Sequence, residues 1–271
     1  MKTTKPVALL AMLGALALGA CADESPTAPS SALEEALNMN AAIVAADATL
    51  EDITLARSAF AFGHRMGGTF GVGSAAFGRP GGHMGVGGTL SGTRTATFYD
   101  ANGVEQAAYD SLTTASVHYT LEIAGDVNRG IWTGSVSRSR DMTVTGLLGS
   151  ETTRTHNGFG SEAVSRSATL DDGVEATFDM EGSFVQSDVV VPVPGADRRY
   201  PLSGTITRTM KVTVVNGPKG DVNREVTVVI TFDGDSTATA VVNGETYEIN
   251  LDARPNERPV RKRNCSTCSG G

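Results

Sequence analysis

Between Gly204 and Val214 the chain reads Gly-Thr-Ile-Thr-Arg-Thr-Met-Lys-Val-Thr-Val, a two-residue alternation that suits an extended strand with one apolar face. Ile206, Arg208, Met210, Val212 and Val214 share one side; Thr205, Thr207, Thr209, Lys211 and Thr213 share the other. The phrase recurs as Gly134-Ser-Val-Ser-Arg-Ser-Arg-Asp-Met-Thr-Val144, again with arginine on the apolar side. A chain patterned this way is committed to sheet, and it must also account for a charge on the face meant for the core.

The same alternation predicts strands over 89–99, 115–124, 131–146, 151–157, 161–170, 173–186, 188–193, 200–216, 222–233, 236–243 and 245–252. Asn102-Gly103, Asp172-Gly173, Asn216-Gly217, Asp233-Gly234 and Asn243-Gly244 punctuate them with residues that tolerate positive φ in tight turns. Consecutive strands joined so closely are antiparallel neighbours. Val189-Val-Val-Pro-Val-Pro194 carries too many prolines for a central strand and is expected at an edge or leaving the sheet. Gly125-Asp-Val-Asn-Arg129 and Gly220-Asp-Val-Asn-Arg224 are identical and are read as duplicated turns. The expected fold is all-β: one antiparallel, long-stranded, twisted sheet curled into an open or half barrel with an N-terminal helix packed on it, the alternative being a two-sheet β-sandwich.

Upstream of the strands the pattern changes. Residues 31–62 are rich in Ala, Leu, Met and Glu, begin with the capping-box spacing Ser31-x-x-Glu34, and predict helix in two pieces broken near Asn38 to Asn40. Residues 63–88 are dominated by glycine and read as a linker, whose His64, Met66, His83 and Met84 are too unevenly spaced for a metal site. The β domain is assigned to 89–253 and a basic disordered tail to 254–271. In that tail Cys265 and Cys268 are a possible local disulfide outside the cytoplasm.

The first twenty residues have the basic start and short apolar run of a secretory signal. They end in Leu18-Gly19-Ala20-Cys21, which resembles the lipobox of bacterial lipoproteins. That resemblance implies removal of residues 1–20, lipidation of Cys21, anchoring in the bilayer through its acyl chains, and a polar tether over 21–30. With Ala22 rather than aspartate after the cysteine, the family's sorting rule implies the outer membrane over the inner. Loss of Lys2 and Lys5 with the signal brings the formal charge from −8 to −10, a balance that disfavours nucleic acid as a partner. The plan of lipidated cysteine, tether, helix and long-stranded sheet is similar to envelope lipoproteins that carry or receive lipids.

The functional question centres on Arg94, Arg138, Arg140, Arg166 and Arg208, all on the parity of apolar neighbours such as Phe98, Val136, Met142, Val164 and Ile206. An unpaired buried charge is too costly to repeat five times. Either these arginines line an open rim, or they face a partly wet concave surface that receives a lipid or another anionic or amphipathic ligand, or the Ser/Thr face is the buried one. No nucleophile elbow, phosphate loop or histidine–carboxylate cluster indicates catalysis, a metal or a cofactor. The expectation is a binding module of the cell envelope, or alternatively a structural or surface-interaction lipoprotein without a small ligand.

Overall fold

The computed structural model describes residues 31–58, 68–72, 87–128, 133–170, 173–193, 200–217, 220–253 and 259–263. One helix, α1 (Ser31–Ser58), is followed by twelve strands: β1 (Gly68–Val72), β2 (Gly87–Asp100), β3 (Glu105–Gln106), β4 (Thr114–Asn128), β5 (Thr133–Thr145), β6 (Thr153–Thr169), β7 (Glu175–Pro192), β8 (Ser203–Val215), β9 (Val222–Thr231), β10 (Thr237–Val242), β11 (Glu245–Asn250) and β12 (Val260–Lys262). All belong to one antiparallel sheet in the order β1-β2-β4-β5-β6-β7-β8-β9-β10-β11-β12, with β3 paired to β2. The sheet does not close into a barrel and does not divide into two, so the open form holds and the sandwich does not.

The turn chemistry is visible where it matters. Between β10 and β11 the two-residue loop Asn243-Gly244 has φ of 48° and 82°, the primed turn whose twist matches its flanking strands. The alternation also chooses the face correctly: Ile206, Arg208 and Met210 are each 1% exposed, while Lys211 on the opposite parity is exposed. One apolar cluster runs from Phe98 on β2 to Val260 on β12, so the inner face curls around a common core. The Ser/Thr face is the outer one.

Helix α1 packs against β9 to β12 through small residues, with Ala42, Ala45 and Ala46 fully buried. It is a single element, with no break at Asn38 to Asn40. Asn38 is only 6% exposed, and its amide is spent on the sheet: Nδ2 donates to Glu245 Oε2 at 2.8 Å, and Oδ1 accepts from Asn243 Nδ2 at 3.0 Å and from Arg224. Those bonds outweigh the few tenths of a kcal/mol by which asparagine disfavours helix.

Other expectations are corrected by the pairing. The predicted strands 173–186 and 188–193 are one strand, β7, held between β6 and β8, with Val189 and Val191 buried rather than at an edge and the strand ending at Pro192. A bulge spans Ser187 to Val190, where Asp188 takes φ of 49° and exchanges hydrogen bonds with Asn157 of β6. The extra residue switches parity, so that Gln186 and Val189 both face inward. Strands 151–157 and 161–170 likewise merge into β6. Gly125 to Asn128 is not a turn but the end of β4, paired to both β2 and β5. Within the supposed glycine linker, Gly68–Val72 forms β1 on the edge beside β2. Within the supposed disordered tail, Val260–Lys262 forms β12: Val260 is 3% exposed, and Lys262 Nζ donates to Glu35 Oε1 and Glu245 Oε1 at 2.8 Å each.

Candidate functional site

Strand register assembles the arginines. One row across the inner face reads Arg94 (β2), Leu121 (β4), Arg140 (β5), Gly160 (β6), Phe184 (β7), Arg208 (β8) and Val228 (β9). Gly160 is the gap that lets this row close. A Cβ there would stand 2.4 Å from Phe184 Cε1 and 2.3 Å from the Ser139 carbonyl oxygen. With no side chain at that position, the Phe184 ring slides between two guanidinium groups, with Arg140 Cζ 4.4 Å and Arg208 Cζ 5.1 Å from its centroid. Desolvated contacts of this kind are worth up to about 2 kcal/mol.

The charges are met by one carboxylate from the helix and one from the sheet. Arg140 donates to Asp52 Oδ1 from Nε at 3.3 Å and from Nη2 at 3.2 Å, and Arg208 Nη2 donates to Asp52 Oδ2. On the other side, Arg208 Nη1 donates to Glu162 Oε1 at 3.5 Å, and Arg138 Nε lies 3.7 Å from Glu162 Oε2. Arg138 and Glu162 are direct cross-strand partners. Three of the five arginines thus form a buried five-member network that fastens α1 to the sheet. Tyr119 stands beside it; burial, followed by the Asp52 charge, pushes its hydroxyl up to about 12.

The other two lie apart. Arg94 sits over the Tyr119 ring at 5.8 Å, half-buried, and burial lowers its guanidinium below the ordinary value. Arg166, exposed, sits over its cross-strand partner Phe178 at 5.5 Å. Two further arginines occupy the inner face: Arg154 opposite buried Val191, and Arg224 between Val222 and Val226. The same parity test finds Arg224 in the sequence, beside Val222 and Val226; Arg154 lies in a stretch, 151–157, that has no apolar residue to mark its inner side. Among the described residues the inner face therefore carries seven arginines, in a chain of formal charge −8.

Beside the network, a cleft of about 490 Å³ opens between α1 and strands β6 to β9. Leu37, Ala41 and Val44 form the helix wall, Phe178, Met210 and Val212 form the sheet wall, and Arg166 and Arg224 bring charge to it. The lining is otherwise almost wholly apolar, a composition suited to holding a hydrocarbon group while a few polar groups orient it.

His156, in contrast, lies among apolar partners. It is 1% exposed, paired with Val144 and Val189, and burial with the neighbouring Arg154 charge lowers its imidazole to about 4. His118, on the outer face, pairs with Asp141 at 2.7 Å. Among the described residues, no three His, Cys, Asp or Glu side chains are grouped to hold a metal, and no helix is long and apolar enough to cross a membrane. Cys21, Cys265, Cys268, His64, Met66, His83 and Met84 lie outside the described residues. Compared with protein-family models, with curated proteins and with solved structures, the chain shows no match to any of them.

Proposed function

We propose that this chain is a lipid-anchored lipoprotein of the cell envelope whose inner sheet face binds an amphipathic or anionic ligand. The observation that carries the reading is the inversion of charge: among the described residues, an acidic protein turns seven arginines toward one apolar concavity. An apolar surface ringed by guanidinium groups recognises molecules that combine hydrocarbon with carboxylate or phosphate. The lipobox supplies the address, since several acyl chains on Cys21 anchor stably where a single chain would not.

Native mass spectrometry on protein purified from its own membrane is expected to show a bound lipid or organic anion. A bare chain mass under conditions that preserve known lipid complexes would sink the binding function. For the anchor, Cys21→Ala is expected to move most of the protein from the membrane pellet to the soluble fraction; retention in the pellet would refute lipidation at that residue.

The outer face supports a second reading as a surface-interaction lipoprotein. One cross-strand row places Phe159, 59% exposed, beside Val185, 52% exposed, and continues through Thr207 and Val229 to Val241. Exposed apolar rows of this kind mark contact surfaces. The same spectrum separates the two, because a stoichiometric protein partner in place of a small ligand favours the second.

A further inference from the structure

The cleft between α1 and strands β6 to β9 differs from the rest of the inner face in one respect, the size of its side chains. Along the β6–β7 ladder the inward pairs are Val164 with Met180, Arg166 with Phe178, and then Ala168 with Ala176. Two facing alanines leave a hollow where the preceding rows are filled. At the adjoining end of β8 and β9 the lining contributes Gly217 and Gly220, which add no bulk. The hollow is thus written into the sequence as a run of small residues at inward positions. Its volume falls in the range of about 300–1,000 Å³ typical of small-molecule sites.

The charged groups stand where a ligand's head would lie. Arg166 is exposed and stacked on Phe178, and Arg224 lines the same cleft from β9. Arg224 donates to the uncharged amide oxygen of Asn38, and among the described residues no carboxylate pairs with it. That differs from Arg138, Arg140 and Arg208, each paired with Asp52 or Glu162. Arg166 and Arg224 both line the apolar hollow.

We infer that this cleft binds a single-chain anionic amphiphile of the fatty-acid class, with the hydrocarbon chain along the Ala168/Ala176 hollow and the carboxylate at Arg166 and Arg224, an assignment that rests on the binding function proposed above. One groove of this volume takes one acyl chain; a second would lie outside it. A carboxylate accepts two parallel N–H bonds from a guanidinium, which fixes the head while the chain supplies affinity through burial.

The test uses the chain from residue 21 onward with Cys21→Ala, so that no detergent competes, and equilibrium dialysis against radiolabelled palmitate. One palmitate per chain is expected, with cetyl alcohol binding at least tenfold more weakly and inorganic phosphate alone not binding stoichiometrically. Arg166→Gln is expected to weaken palmitate at least tenfold. Ala176→Leu fills the hollow without removing any contact, so it is expected to abolish binding while the thermal midpoint is kept or raised, which separates blockage from misfolding. Palmitate binding that survives Ala176→Leu overturns this site while leaving a ligand elsewhere on the inner face. Binding indifferent to Arg166→Gln and to loss of the carboxylate overturns the anionic head. Absence of any binding by palmitate, when native spectrometry still finds a ligand, overturns the fatty-acid class alone; absence in both experiments overturns the binding function as well.

Discussion

Replacing Asp52 by alanine is expected to cost about 3–5 kcal/mol of stability, the range for breaking a buried ion pair from one side. Asp52 is 9% exposed and is the carboxylate shared by Arg140 and Arg208, themselves 6% and 1% exposed. Without it, Arg140 loses its paired carboxylate while keeping the desolvation cost of burial, and Arg208 is left to share Glu162 with Arg138. Asp52→Asn retains the shape and an acceptor oxygen, so its loss should be smaller. Glu34→Ala, on the exposed side of the same helix, should stay within about 0.5 kcal/mol. Urea unfolding measures all three; an Asp52→Ala chain within about 1 kcal/mol of the parent would show that the network does not hold the helix.

Acid is expected to act through His156. Its folded-state value of about 4 lies below the ordinary 6.5, so between those values the unfolded chain binds a proton that the folded chain refuses. The neutral ring's contribution is fully present above about pH 6.5 and declines as pH falls toward 4. At about 1.36 kcal/mol per unit the loss approaches 3 kcal/mol. Glu245 works in a lower window: hydrogen bonds from Lys262, Tyr247 and Asn38 hold it at about 2, so its contribution is present above about 4.5 and lost as pH falls through 2. Unfolding curves between pH 7 and 4 should show the decline, and His156→Phe should flatten it. An unchanged slope in that variant would assign the acid response to other groups.

Much of the architecture was legible because alternation and turn dipeptides are local. Ile206 to Val214 declare strand and face within eleven residues, and Asn243-Gly244 declares a hairpin in two. The arginines' parity was equally plain. Their partners were not. Asp52 lies in a helix 88 and 156 residues from Arg140 and Arg208, and Glu162 reads as a lone acid on a polar strand until register sets it beside Arg138. The role of Gly160 depends on a ring two strands from Arg140, which no local pattern encodes. The bulge at Asp188 was taken for a strand end because a parity switch looks, in sequence, like a broken pattern. Strands β1 and β12 were missed for a related reason: five glycine-rich residues and three basic-tail residues carry too little alternation to be seen without a neighbour to pair with.

The separation between Asp52 and its arginines also orders the folding of the molecule in time. Each hairpin closes a short loop, so the sheet can zip from β4 to β11 by successive local steps, whereas helix α1, synthesised first, finds its last partner only after Arg208 exists. Docking of the helix is therefore expected to be the slow, long-range event, and its reversal the opening that least disturbs the strands. Amide protons of α1 should therefore exchange through partial opening, well before those of the central strands, and each such opening bares the arginine row to whatever lies within reach.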